Sequence, residues 1–184
     1  MIKFLIKTNK EKIKFFEISA FILLIGISLV SPIIVHYFGL KGTEYLPIFF
    51  ALSLGSYILN PLPLITLSII SPLINSIITG MPQIPILYFL IFEGFIFSIL
   101  ISLLISLLKN KLSFFILAPL SFIIARFSSI LIVFLLNENI TIWFNGIVNG
   151  YKGIIINSLF ALASYFILKN AKKNWFYIQN ILYR

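Results

Sequence analysis

The 184-residue chain contains no cysteine and no aspartate, one histidine, and only five acidic residues, all glutamate. Without cysteine there is no disulfide and no thiol chemistry, and every mechanism built on an aspartate is excluded. A lone histidine, His36, without cysteine or aspartate beside it makes no credible metal site. Recognised chemical motifs are also missing: there is no Walker-type glycine loop, no His-Glu-x-x-His, no serine nucleophile elbow, and no carboxylate pair within one helical turn of an apolar run. The chain is therefore not expected to be an enzyme or to need a cofactor, and any ATP coupling would come from a partner.

What fills the chain instead is apolar. Hydrophobic residues make up 60% of it and charged residues 10%, with a mean hydropathy of +1.10. No soluble domain has this balance. A span needs about 20 apolar residues, which predicts an all-α membrane protein: one domain of six transmembrane helices. The spans read as Phe15 to Phe38, Leu46 to Leu59, Leu62 to Ile78, Ile84 to Leu108, Leu112 to Leu136, and Ile147 to Leu168. Residues 1–14 are expected as a basic cytoplasmic N-terminal segment, residues 15–168 as the six-helix bundle and residues 169–184 as a basic cytoplasmic tail. The first run is too long for a signal-peptide core and is read as retained. The second and third runs are short and meet at Asn60-Pro61-Leu62-Pro63, as a tight hairpin or one broken segment.

Basic residues orient the bundle. Eleven of the 14 (Lys3, Lys7, Lys10, Lys12, Lys14, Lys109, Lys111, Lys169, Lys172, Lys173 and Arg184) fall on one side, Lys41 and Lys152 fall on the other, and Arg126 lies inside a span. The positive-inside bias then puts both termini in the cytoplasm, in the plasma (inner) membrane of a prokaryote. The net charge of +9 belongs to that inner surface and does not call for nucleic acid. Tyr37, Tyr45, Tyr88, Trp143 and Tyr151 gather at outer span ends, and Trp175, Tyr177 and Tyr183 past the inner one, as interface anchors do.

The most telling stretch is Ser71 to Glu93, where a polar, Pro/Gly-containing turn separates two apolar runs and a carboxylate follows inside the second. Ser68, Ser71, Asn75 and Thr79 share one helical face that leads to Gly80-Met81-Pro82. Such side chains either join helices or meet a ligand. Gly94, Ser98, Ser102 and Ser106 form a small-residue seam for close helix packing. Glu93, buried in an apolar span, needs a proton, a cation or a ligand donor, and Arg126 in the fifth span is its natural partner. In the last span Asn149, Gly153, Asn157 and Ala161 recur every four residues, preceded by a loop carrying Trp143, Asn145 and Gly146. His36 lies at the outer end of the first span, as an interfacial residue or a ligand contact.

These residues resemble a known family, the substrate-binding S components of energy-coupling factor (ECF) vitamin transporters. The likeness rests on Ser71-Pro72-Leu73-Ile74-Asn75-Ser76-Ile77-Ile78-Thr79-Gly80-Met81-Pro82 followed by Glu93. Leu46-Pro47, Asn60-Pro61, Arg126 and Gly150-Tyr151-Lys152-Gly153-Ile154 add to it, over roughly residues 15–168. The chain departs from the pattern at Ile48, Phe49 and Phe50, at Phe97-Ser98 where the family carries Tyr-Gly, and at Ala20, Leu24 and Ser28 where the first helix often carries an alanine seam. The resemblance implies a six-helix protein that captures a vitamin-like small molecule from outside. It would release it inside when docked in the bilayer on a transmembrane coupling subunit with two ATPases. Asn75, Thr79, Gly80, Met81, Glu93, Arg126, Asn149, Asn157 and His36 are the expected substrate-binding residues, capped by the loops after the first and third spans. Two other readings stand beside it: a non-catalytic scaffold of the cell-shape complex, and a small permease with Glu93 as proton carrier.

Overall fold

The computed structural model describes residues 2–107 and 114–182, with side chains for 15–107, 116–141 and 143–167. The basic positions Lys109, Lys111 and Arg184 lie outside the described residues. Among those described, every regular element is a helix: α1 (Ile2–Tyr37), α2 (Gly42–Tyr45), α3 (Phe49–Gly55), α4 (Pro61–Thr79), α5 (Ile86–Leu107), α6 (Phe114–Ser128), α7 (Ile130–Leu136), α8 (Ile140–Asn149) and α9 (Tyr151–Leu182). Four stretches are long and apolar enough to cross a membrane, namely Phe15–Tyr37, Pro61–Thr79, Ile86–Leu107 and Ile116–Leu136. A fifth is a bent pair, Trp143–Asn149 with Tyr151–Ile167, whose halves meet at 54°.

Local chemistry sets the ends. Pro61 opens α4 at a position whose N–H would have no helical partner, and Gly80 closes it in the left-handed region at φ 70°. The Glu17 carboxylate of α1 accepts hydrogen bonds from the backbone N–H of Asn60 (2.8 Å) and from its side-chain amide (2.9 Å), so a negative charge sits at the positive end of α4. α8 begins where Asn139 Oδ1 accepts from Thr141 N at 2.8 Å, and it ends at Gly150. Trp143, Asn145 and Gly146, expected in a loop, are therefore helical: the Asn139 cap starts a helix earlier than apolar periodicity alone suggested.

The run expected as the second span holds only seven residues of regular helix, in α3. Its two ends are nevertheless fixed at different levels of α1. Ser31 Oγ donates to Pro47 O at 2.8 Å near the C-terminal end of α1, whereas Asn60 is held by Glu17 near the start of the apolar stretch. Those anchor points lie about 21 Å apart at helical rise. Residues 47–60 thus run antiparallel to α1 over most of the apolar depth, with the short helix inside the bundle and Phe49, Ala51, Leu52, Ser53 and Gly55 buried.

The core surrounds α3. Phe122 packs edge-on against Phe49 and tilted against Phe97, both at 5.0 Å between ring centres, with Leu52, Leu64, Leu67 and Ile101 closing around them. The small-residue seam on α5 packs helices: a methyl group added at Gly94 would lie 3.2 Å from Leu52 Cδ1 and from Ser68 Cβ. Only hydrogen fits there without movement.

Candidate functional site

α1, α4 and α7 end, and α5 and α8 begin, around one cavity of about 910 Å³. Pro32, Ile33 and His36 form one wall, and Leu46, Pro47 and Ile48 another. The loop after α4 contributes Met81, Pro82, Gln83 and Pro85, and α5 contributes Phe89, Leu90 and Glu93. Arg126 of α6, Glu138 and Asn139, and Trp143, Gly146 and Ile147 of α8 complete it. The segments following α1 and α4 both line this space, through Leu40, Lys41, Gly42 and Thr43 and through Met81, Pro82, Gln83 and Pro85.

At its buried end lies an ion pair between residues 33 positions apart: Arg126 Nη1 donates to Glu93 Oε2 at 3.0 Å. The Arg and Glu side chains are 7% and 5% exposed, so each charge depends on the other. Glu93 sits about 10 Å along α5 from its start, counted at helical rise. The second guanidinium arm donates to Gly146 O at 2.8 Å, a carbonyl in the last turn of α8 that also accepts from Gly150 N at 3.1 Å, at a helix end where cations are favoured. Gly150 leaves room for this: a methyl group there would lie 3.1 Å from Arg126 Nη2. The third guanidinium nitrogen, Nε, is buried and has no acceptor. Ser129 Oγ donates to Arg126 O at 2.6 Å and accepts from Trp143 Nε1 at 2.9 Å, tying α7, α8 and the Arg126 backbone together.

To one side, α2 is fastened to α9. Lys152 Nζ donates to Glu44 Oε2 at 2.8 Å and lies over the rings of Tyr45 (5.7 Å) and Tyr151 (6.0 Å). The hydrogen bond from Lys152, with its charge, holds the Glu44 carboxyl below its ordinary value of 4.5. Beneath this contact the chain rests directly on Gly153, where a methyl group would stand 2.8 Å from Leu46 Cγ and 2.9 Å from Glu44 O. Leu46 itself takes a left-handed conformation, φ 51°, unusual for a γ-branched residue, to turn the chain from α2 toward α3.

The expected site residues divide into two groups. His36, Thr79, Met81, Glu93 and Arg126 line the cavity. Gly80, Asn75, Asn149 and Asn157 do not. Gly80 supplies the turn. Asn75 is spent on packing, its amide donating to Ser28 O and Ser71 O at 2.9 Å each. Asn157 accepts from Ser53 Oγ at 2.9 Å and donates to Gly153 O at 2.8 Å, joining α3 to α9. Asn149 is exposed at the end of α8, because the bend before α9 takes it off the Gly153–Asn157–Ala161 face. Thr79 reaches the cavity, but its hydroxyl donates to Asn75 O at 2.7 Å and accepts from Met81 N at 3.2 Å, so it shapes the turn. Phe49 and Phe97, where the chain departs from the S-component pattern, are each 1% exposed in the core and are not in the cavity wall.

Lys41, Gln83, Phe89, Glu138 and Asn139 line the space without having stood out in the sequence. They sit in short connections or at a helix start, where periodicity does not tell which way a side chain faces. Among the described residues, no three His, Cys, Asp or Glu side chains converge as a metal site would require.

The class defined so far is an all-helical protein with membrane-length helices around a cavity that opens at one end of the bundle and is floored by a buried ion pair. The chain matches no family model, no curated protein and no solved structure.

Proposed function

We propose that this chain is the solute-capturing S component of an ECF-type transporter, taking a vitamin-like molecule from outside the cell for uptake driven by partner ATPases. The observation that carries the proposal is the cavity of about 910 Å³ with the Glu93–Arg126 pair at its buried end. A scaffold has no use for a cavity with a desolvated ion pair at its buried end, whereas a binding site requires apolar walls and a few convergent polar groups. A carboxylate already paired at 3.0 Å is also poorly suited to carry protons, which disfavours the permease reading.

Six membrane crossings follow if residues 47–60 are counted with the four long spans and the bent pair. The helix directions support this count. The C-terminal ends of α1 and α4 meet the N-terminal ends of α5 and α8 at the cavity, so the start of α1 and the end of α9 point to the opposite side. Combined with the basic bias, that side is the cytoplasm and the cavity faces outward. The coupling subunit and its two ATPases would engage the bundle from within the membrane and the cytoplasm.

The test is to purify the protein in mild detergent, denature it, and identify any released small molecule by mass spectrometry. A stoichiometric metabolite is expected from the native chain and at lower occupancy from Phe89→Trp, which adds bulk to the cavity wall while leaving the ion pair in place. Absence of any co-purifying molecule, together with no thermal shift across vitamins and related heterocycles, would overturn the proposal in favour of a scaffold.

A further inference from the structure

Polar and apolar side chains are sorted by burial around the cavity. Apart from Glu93 and Arg126, every lining residue that is buried or half-buried is apolar or glycine, with Leu46, Ile48, Phe89, Leu90, Trp143 and Ile147 supplying the bulk. The Trp143 indole N–H is already spent on Ser129 Oγ at 2.9 Å. All other polar side chains of the lining belong to exposed residues: His36, Lys41 and Thr43 from the end of α1 into α2, Thr79 and Gln83 around the end of α4, and Glu138 and Asn139 between α7 and α8.

Charge follows the same division. Glu93 and Arg126, both desolvated, compensate each other, and the second Arg126 arm is held by Gly146 O. The other charged lining residues, Lys41 and Glu138, are of opposite sign and exposed; Lys41 has Glu44 at 3.9 Å, and Glu138 forms no ion pair among the described residues. A polar group of a ligand keeps its water at this rim and meets side chains of either sign. A charge pushed among the buried apolar walls loses its water and meets a pair that is already neutral. Resting on the capture reading above, we infer that the captured molecule is an amphiphile, whose apolar body enters first and fills the buried part while its one polar end stays at the rim among Lys41, Gln83, Glu138 and Asn139. Burial of the body supplies most of the affinity, and exposed charges read the polar end only weakly. A body of two linked rings matches the depth of about 10 Å from the start of α5 to Glu93 at helical rise.

The experiment is thermal unfolding of the full chain in lipid nanodiscs, titrated with biphenyl-4-carboxylate, 4-biphenylmethylamine and 4-biphenylmethanol, which share a body and differ in the polar end. Benzoate, benzylamine and benzyl alcohol are the one-ring counterparts, and biphenyl-4,4'-dicarboxylate is charged at both ends. All three one-ended biphenyls should stabilise the native chain, their one-ring counterparts should bind about 10-fold or more weakly, and the dicarboxylate should not stabilise it. Glu138→Lys reverses one exposed rim charge and should shift the carboxylate-to-amine affinity ratio toward the carboxylate by about 3-fold or more. Partition of each probe into the bilayer is common to both proteins and cancels from that comparison. Stabilisation by the dicarboxylate equal to that by the monocarboxylate, one-ring probes as tight as two-ring ones, or an unchanged ratio in Glu138→Lys would each overturn this inference and leave solute capture standing. Absence of stabilisation by every one-ended biphenyl would also overturn it, and the presence or absence of a co-purified metabolite then decides the capture reading separately.

Discussion

Replacing Arg126 by methionine removes the cation that pairs with a carboxylate only 5% exposed. Breaking one side of a buried pair costs about 3–5 kcal/mol, because the remaining charge stays desolvated. Arg126 also donates to Gly146 O at the end of α8, and a hydrogen bond from a charged group adds about 1.5–3 kcal/mol. Glu93→Met leaves the guanidinium its bond to Gly146 O but strips its counterion, so it should cost about 3–5 kcal/mol alone. The double variant Glu93→Met/Arg126→Met leaves no buried charge. It should retain only the cost of the lost α8 contact, making it more stable than Arg126→Met despite carrying one more substitution. Reversible unfolding in mixed micelles, read by circular dichroism as denaturing detergent is titrated, gives the three free energies and the coupling between the sites. If the two single costs simply add in the double variant, the pair does not stabilise the fold as argued, and the ion pair at the cavity floor loses its structural basis.

Gly153→Ala should destabilise by about 1–3 kcal/mol, since the new methyl group would stand 2.8 Å from Leu46 Cγ; faster proteolysis within residues 40–46 would report the displaced loop, and unchanged proteolysis would count against the contact. Asn157→Leu should cost about 1–3 kcal/mol, through the unpaired Ser53 hydroxyl it leaves between α3 and α9, while affinity for a bound metabolite stays within about two-fold of native because Asn157 lies outside the cavity; a large affinity loss would place it back in the site. The Glu44 carboxyl is held low by Lys152 in the folded protein, so its contribution is complete above its ordinary value of 4.5 and disappears as pH falls through the depressed one. The difference in melting temperature between native protein and Lys152→Met should therefore shrink on acidification through that window, and a difference constant with pH would contradict the ion pair. Glu17→Ala should cost about 1 kcal/mol by uncapping α4, measured by the same detergent titration.

The positions legible in the sequence were those where membrane chemistry leaves few choices. A carboxylate and a guanidinium in apolar runs must find each other, and Glu93 and Arg126 do so at 3.0 Å. The long spans and the Pro61 and Gly80 boundaries of α4 follow from apolar length and backbone sterics in the same way. Asparagines were less legible, because an amide at helical spacing serves a ligand and a neighbouring helix equally well. What separates the two uses is the identity of the facing residue. Asn75 meets Ser28 O, 47 positions away, and Asn157 meets Ser53, 104 positions away, and no local pattern encodes either pairing. The bend at Gly150 likewise removed Asn149 from a face that a straight helix would have kept continuous.

Residues 46–60 show how a short segment can carry the architecture of a membrane bundle. By length of regular helix, α3 falls far short of the roughly 20 residues a lipid-exposed span requires. That requirement applies to backbone facing lipid, where every N–H and C=O must be satisfied within the segment. α3 is enclosed by protein, and its irregular flanks find partners on other helices: Ser31 on Pro47 O, Glu17 on Asn60, and Asn157 on Leu46 O at 3.4 Å. Loosened helical geometry at both ends is thus tolerated. The same looseness at the upper end lets Leu46, Pro47 and Ile48 turn their side chains into the cavity wall. The stretch that falls outside every membrane-length helix is thus also one that contributes to the cavity wall.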